Sequence, residues 1–246
     1  MAQKRLIDKC HYLFDGTNNV PPTADVVSII CGMIDKVGPD DVALMDDVRL
    51  SNEINNAAGC QEPPIITFKT IYECENFTIT VFLLPQGAAM PLHDHPGMTV
   101  FSKLLIGSAH VVSYDWVHPR ICTAATGSVS GAMLAQKVLD NEFTAASGAW
   151  VLFPDAGGNL HRFVTGEDGP CALLDVMTPS YSPTSETQER FAFYKDIPYE
   201  LHPTTDVVND GEMTQEQKCR LVWLQEIDEP EDLKFSNLPY QGPPVV

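Results

Sequence analysis

A mainly β fold, a sandwich or barrel entered through a helical segment, is what this chain predicts, and two observations carry the prediction. Short strand-like runs recur at residues 65–72, 77–84, 98–106, 109–117, 133–139, 149–153, 160–164, 171–177 and 191–194, with glycine and proline between them. Regular short strands of this kind indicate a closed or two-layered β structure rather than alternating β-α units. The length, 246 residues of which 44% are hydrophobic, suits one sizeable β domain with extra elements.

The elements follow in order. Thr23 can cap a helix running to about residue 37, because Val26, Val27, Ile30, Met33, Ile34 and Val37 form an apolar stripe at helical spacing. Residues 51–64, with Asn55-Asn56, Gly59 and Pro63-Pro64, have linker chemistry and no periodicity. The chain then divides into a helical entry and linker (1–62), a barrel (63–195) and a C-terminal extension packed on the barrel (196–246), within a single domain. Between Pro119 and Gly131 a small-residue insertion, Thr123-Ala124-Ala125-Thr126-Gly127-Ser128, reads as a loop. In the extension, Leu221-Val222-Trp223-Leu224 reads as an apolar patch against the barrel.

Charge and cysteine usage narrow the function. Thirty-three acidic against fifteen basic residues give a net charge of −18, which repels polyphosphate and excludes direct nucleic-acid binding as an expectation. A cationic peptide would be drawn in only weakly, since runs such as Asp228-Glu229-Pro230-Glu231-Asp232 read as solvated loop. The seven cysteines are odd in number, scattered and never in C-x-x-C spacing, so neither a disulfide framework nor a zinc ribbon is expected. Met1-Ala2-Gln3-Lys4-Arg5 passes directly into mixed sequence with no leader, and no apolar run reaches membrane-spanning length. The expectation is a soluble cytoplasmic monomer without membrane contact.

The chemistry centres on Pro91-Leu92-His93-Asp94-His95-Pro96-Gly97. In an extended strand alternate side chains share a face, so His93 and His95 project together and Asp94 projects away. Two imidazoles can then grip one ion, and the flanking prolines stiffen the stretch. His161, on a later strand, is the candidate third metal ligand, while His110, His118 and His202 read as ordinary surface or hydrogen-bonded residues. A closed structural zinc site would recruit cysteines, and none lies near these histidines; a catalytic site keeps positions open. Common non-haem iron oxygenase sites use two histidines and a carboxylate. Three neutral ligands leave Fe(2+) its full double charge and favour an anionic ligand such as a substrate thiolate. Iron-dependent oxidation of a thiol is the resulting hypothesis.

The surroundings of the histidines carry a resemblance. Gly87, the histidine pair and Gly107 form one block, and Gly148, Pro154 and Gly158-Asn159-Leu160-His161 form a second; together they resemble the two motifs of cupins, double-stranded β-helix (jelly-roll) barrels. The first cupin motif ordinarily places a glutamate where Thr99 and Val100 stand, so the metal-binding carboxylate is missing. The run from Met90 through Gly107, then Ser113-Tyr114-Asp115-Trp116, Gly157-Gly158-Asn159-Leu160-His161, Cys171-Ala172-Leu173-Leu174-Asp175-Val176-Met177-Thr178-Pro179-Ser180-Tyr181-Ser182 and Leu238-Pro239-Tyr240-Gln241-Gly242-Pro243, resembles the plant cysteine oxidases, relatives of animal cysteamine dioxygenase. Leu160 and Arg162 beside His161, and Thr178-Pro179-Ser180 in place of a double proline, depart from that pattern.

The resemblance implies insertion of both atoms of O2 into the thiol of an N-terminal cysteine on a peptide or protein substrate, such as group VII ethylene response factors. Cysteine sulfinic acid would mark the substrate for arginylation and N-degron degradation, tying its lifetime to oxygen. It also implies nuclear presence beside the cytoplasm, and catalytic roles for Asp175 and Tyr181. Asp175 stands in an otherwise apolar strand, where a carboxylate is costly to bury without a partner, and it could orient a ligand histidine or receive the substrate amine. Tyr181 could donate a hydrogen bond to oxygen or substrate, with plain packing as its other reading. Asp94 reads as a structural acceptor, Cys171 as a buried reduced thiol, and Trp116 and Trp150 as core aromatics. Rival functions are a cupin isomerase or hydrolase using zinc, nickel or manganese, and a binding module without turnover.

Overall fold

The computed structural model describes residues 1–16, 21–59, 62–123, 131–180, 191–201 and 214–245. Two β layers form the body. One is a six-stranded sheet in the order β12 (Lys234–Asn237), β1 (Ile65–Glu73), β2 (Thr78–Leu84), β9 (Cys171–Thr178), β4 (Thr99–Ile106), β7 (Trp150–Leu152). The other curls into a closed barrel in the order β10 (Phe193–Pro198), β11 (Leu221–Ile227), β6 (Ala132–Thr144), β5 (Ser108–Trp116), β8 (Leu160–Thr165), β3 (Ala89–His93). The curl closes between β10 and β3 through the pair Phe193 and His93. This is the mainly β, cupin-type architecture that the strand spacing and motifs predict.

The six-stranded sheet is covered on both faces, and β9 shows it in its residues. Ala172, Leu174 and Val176 join a core with the helices, while Cys171 and Leu173 face the curled sheet and pack with Met90, Val111 and Phe163. A strand buried on both sides needs a continuous apolar run, and the only charged side chain on β9 is Asp175. Gly107 makes the turn from β4 to β5 at φ +73°, where a Cβ would come within 2.4 Å of the Pro170 carbonyl oxygen. Only glycine fits both demands.

The helical entry is larger than the sequence reading. Helix α1 (Ala2–Phe14) opens the chain where mixed sequence was expected, and buries Leu6, Ile7, Cys10 and Phe14. Each of the large apolar side chains contributes roughly 1.5–3 kcal/mol on burial. Helix α2 (Ala24–Ile34) begins after Thr23 as expected, but Thr23 makes no side-chain cap bond and the helix stops three residues early. The carbonyls of Ile34, Asp35 and Val37 instead accept from Nζ of Lys103. Helix α3 (Leu44–Ala58) occupies much of the stretch read as linker. Its buried residues are Leu44, Asp47 and Ser51, so its inner face is partly polar and gives no apolar period.

Three strands are additions. β3 is short and interrupted by Pro91; β12 pairs in parallel with β1; and β11, read as an apolar patch on the barrel, lies inside it between β10 and β6. The C-terminal extension therefore supplies part of both sheets. Tyr181, His202, Cys60 and residues 124–130 of the insertion lie outside the described residues. No described helix is long and apolar enough to cross a membrane.

Candidate metal centre

His93 ends β3 and His161 is the second residue of β8, directly opposite it in the antiparallel register. His95 follows two residues beyond the end of β3, before a turn in which Met98 N–H donates to the His95 carbonyl. One ring nitrogen from each of the three comes within 4.8 Å of the others. Nε2 of His95 and Nε2 of His161 stand 3.0 Å apart, and the His93 and His161 rings are 4.6 Å between centroids. Among the described residues, this group contains no carboxylate and no thiol. Thr99 and Val100 are buried in β4 and supply none.

Burial keeps the imidazoles neutral. It lowers His93 to a pKa of about 4, and holds His95 and His161 well below the ordinary histidine value, with His93 adding to both shifts. The ring of His93 is oriented by Nδ1, which lies 2.8 Å from the Pro91 carbonyl; as donor there, it leaves the Nε2 lone pair for an ion. His161 is held differently: its buried Nδ1 has no hydrogen-bond partner among the described residues, and its place is set by β3 and β5 on either side and by Phe163, 4.7 Å away. Three neutral nitrogen donors converging in this way fit a divalent transition ion with open coordination positions.

The residues beside the triad explain how it is built. Asp94 points away, as the alternation requires, and its carboxylate accepts from Ala192 N–H at 2.7 Å and Tyr194 O–H at 3.1 Å. That bond pair fastens β10 against the histidine segment, so Asp94 is structural. Asp115 accepts from the backbone N–H groups of both Gly157 and Gly158, fixing the turn that leads into β8. Gly158 has φ +82°, and a Cβ there would approach Ser113 Oγ to 2.4 Å and Ser113 Cβ to 3.0 Å. Close backbone approach, rather than a simple turn, is what this glycine provides.

Asp175 lies on the inner face of β9 and is 3% exposed. Its Oδ1 accepts from Ser102 O–H at 2.6 Å, and burial raises its pKa to about 7 against the lowering effect of that bond. It is not part of the histidine group, and its partner is a serine rather than a ligand histidine. Tyr181 lies outside the described residues. Sequence reading missed Ser102, Asp115 and Asn159. The first two stand inside strands without a pattern to mark them, whereas Asn159, two residues before His161 in a glycine-led turn, was in plain view.

A family model described as PCO_ADO matches residues 33–245. Plant cysteine oxidase 2 of Arabidopsis thaliana is 34% identical over 98% of this chain and 82% of its own length. The 2-aminoethanethiol dioxygenase of Mus musculus is 31% identical over 74% of this chain and 72% of its own. Among solved structures, an uncharacterized conserved protein with a double-stranded beta-helix domain from Klebsiella pneumoniae aligns with 14% identity and a TM-score of 0.33, covering 50% of this chain and 75% of that one.

Proposed function

The chain belongs to the PCO_ADO family, and from that premise we propose that it is an iron-dependent thiol dioxygenase acting on the N-terminal cysteine of a peptide or protein. The single observation carrying this reading is the convergence of His93, His95 and His161 with, among the described residues, no acidic ligand in their group. The overall conversion is R–SH + O2 → R–SO2H: both oxygen atoms pass to sulfur, which is oxidised, and the thiol proton ends on the sulfinic acid. Bound Fe(2+) would supply O2 activation and stabilise the thiolate form of the substrate.

The protein's own groups supply the rest. The neutral imidazoles of His93, His95 and His161 would leave a bound divalent ion's charge uncancelled, which would favour an anionic sulfur as substrate. Phe193 and Phe163 flank His93 and His161 at 6.4 and 4.7 Å between ring centroids and give the site an apolar wall. Asp175, buried and poised to titrate near neutral pH, can hold or release a proton beside a reacting substrate or meet its amine. Tyr181, which lies outside the described residues, keeps the two readings its sequence position gives, a hydrogen bond to oxygen or substrate and plain packing. In this reading the product is a degradation signal of the N-degron type, the substrates include group VII ethylene response factors, and the enzyme works as an oxygen sensor in cytoplasm and nucleus.

Anaerobic loading with Fe(2+), followed by oxygen-electrode traces on a Cys-initiated peptide, tests the proposal. The expected result is oxygen uptake with a mass gain of about two oxygen atoms on the peptide, and none on the same peptide with its amine acetylated. His161→Ala should lose iron and turnover while keeping its circular dichroism. Unchanged activity in that variant, or turnover on an acetylated peptide, would remove the metal assignment or the N-terminal specificity respectively.

A further inference from the structure

His95 lies where the backbone ladder has run out. β3 ends at His93, opposite His161, and β4 does not begin until Thr99. Continuing the β3–β8 register by two residues on each side would set His95 opposite Asn159, but Asn159 precedes β8 and the two backbones do not pair. The Asn159 side chain makes the missing pair instead. Its Oδ1 accepts from His95 N–H at 2.7 Å, and its Nδ2 donates to the His95 carbonyl at 3.0 Å and to the Met98 carbonyl at 3.4 Å. A primary amide carries one acceptor and two donors, so it can stand in for a neighbouring peptide group. Asn159 is 6% exposed, and these bonds are shielded from water.

We infer that Asn159 is a positioning residue for the metal centre: its amide extends the β-ladder by one side chain and thereby fixes His95 relative to His161. The inference rests on the three-histidine metal reading above. Two features make the arrangement more than a turn. The amide binds both the N–H and the C=O of the one ligand residue that no strand holds, and it belongs to the segment whose next strand residue but one is His161. Asn159 itself is anchored from behind, because Asp115 binds the N–H groups of Gly157 and Gly158. The two histidine-bearing segments are thus joined by an amide at one end and by the His93–His161 strand pair at the other. Loss of the amide frees the peptide of His95 to rotate and moves its ring nitrogen away from the 3.0 Å approach to His161.

Co(2+) is the probe, because its visible spectrum reports coordination without turnover. The full-length chain is loaded with Co(2+), challenged with excess chelator, and followed spectroscopically. Partners of metal ligands typically change affinity about 10- to 100-fold when removed; Asn159→Ala should release Co(2+) faster by that order and show an altered ligand-field spectrum, while the metal-free chain keeps its circular dichroism. Asn159→Asp keeps the acceptor for His95 N–H but loses the donor, and should release Co(2+) faster than the unsubstituted chain by several-fold. That variant decides the matter if the alanine chain fails to fold. Release within twofold of the unsubstituted chain in a folded variant overturns the inference, as does failure of both variants to fold, which would make Asn159 a folding residue. An unsubstituted chain that binds no Co(2+) sinks the metal reading itself and this inference with it.

Discussion

The two faces of the six-stranded sheet bury charge in opposite ways. On the helix side, Lys69 and Lys103 are buried and well partnered. Lys69 contacts the Asp47 carboxylate and the Val42 carbonyl and lies 5.5 Å from the centre of the Tyr240 ring, while Lys103 caps the end of α2. On the inner face, Asp175 has one serine hydroxyl donating to its Oδ1 and, among the described residues, no cation beside it. A buried charge is tolerable when paired and hydrogen-bonded; the helix side meets that condition and, among the described residues, the inner face does not. A poorly compensated carboxyl is poised to change protonation near neutrality, which fits a group serving chemistry rather than stability.

Breaking the compensation on the structural face should give the largest loss of stability. Asp47→Ala removes the carboxylate from Lys69 and leaves an ammonium in a dry site. Losing one partner of a buried pair costs about 3–5 kcal/mol, and the remaining carbonyl and ring contacts of Lys69 place this variant at the low end, about 3 kcal/mol. The measurement is urea unfolding, with the midpoint falling at unchanged slope. Burial raises the pKa of Asp47 despite Lys69, so the pair is costly to assemble as well as costly to break. A Lys69→Met, Asp47→Leu double variant of similar volume should therefore recover most of the loss.

The inner face should respond with the opposite sign. Asp175 has a folded-state pKa of about 7 against an ordinary value of 3.8. Between these values the folded chain keeps a proton that the unfolded chain has released, so stability falls as pH rises through that window. Below it both states are protonated and Asp175 contributes nothing; above it the full penalty applies, at most about 4 kcal/mol. Asp175→Asn keeps the Oδ1 acceptor for Ser102 and removes the ionisation. It should match the unsubstituted metal-free chain near pH 4 and become progressively more stable than it toward pH 7, while iron content is retained and turnover slows. A stability difference that is flat with pH would mean that Asp175 is not penalised by burial.

The same contrast explains what the sequence made legible. The strands and the histidines announced themselves because alternation and H-x-H spacing are local patterns. α3 did not, since its buried face uses Asp47 and Ser51, and Asp47 has its meaning only opposite Lys69, far away in sequence. Helix α1 carries Leu6, Ile7, Cys10 and Phe14 at helical spacing, and this pattern was readable. β3 was hidden by Pro91 and its five-residue length, and β11 by its distance in sequence from its partners β6 and β10. In the candidate site, residue types pointed to the three histidines, whereas Ser102 and Asp115 act through contacts that only folding brings together.

The smallest of these effects belongs to Lys103, and it separates compensation by an ion pair from compensation by carbonyls. Nζ of Lys103 donates to the Asp35 and Val37 carbonyls at 2.9 Å each, and burial lowers its pKa with Asp35 offsetting part of the shift. Lys103→Met keeps the apolar stem and removes the donors. Leaving buried carbonyls unpaired costs about 1–3 kcal/mol, but relief of the lysine's own desolvation offsets part of it, so the net loss should be about 1 kcal/mol. The damage should be local, because the released acceptors lie at the end of α2 and just beyond it: hydrogen exchange should quicken over residues 31–37 and stay unchanged in β8 and β9. A loss as large as that of Asp47→Ala would show that helix-end carbonyls compensate a buried lysine as strongly as a carboxylate does, and the two lysines would then be equivalent anchors.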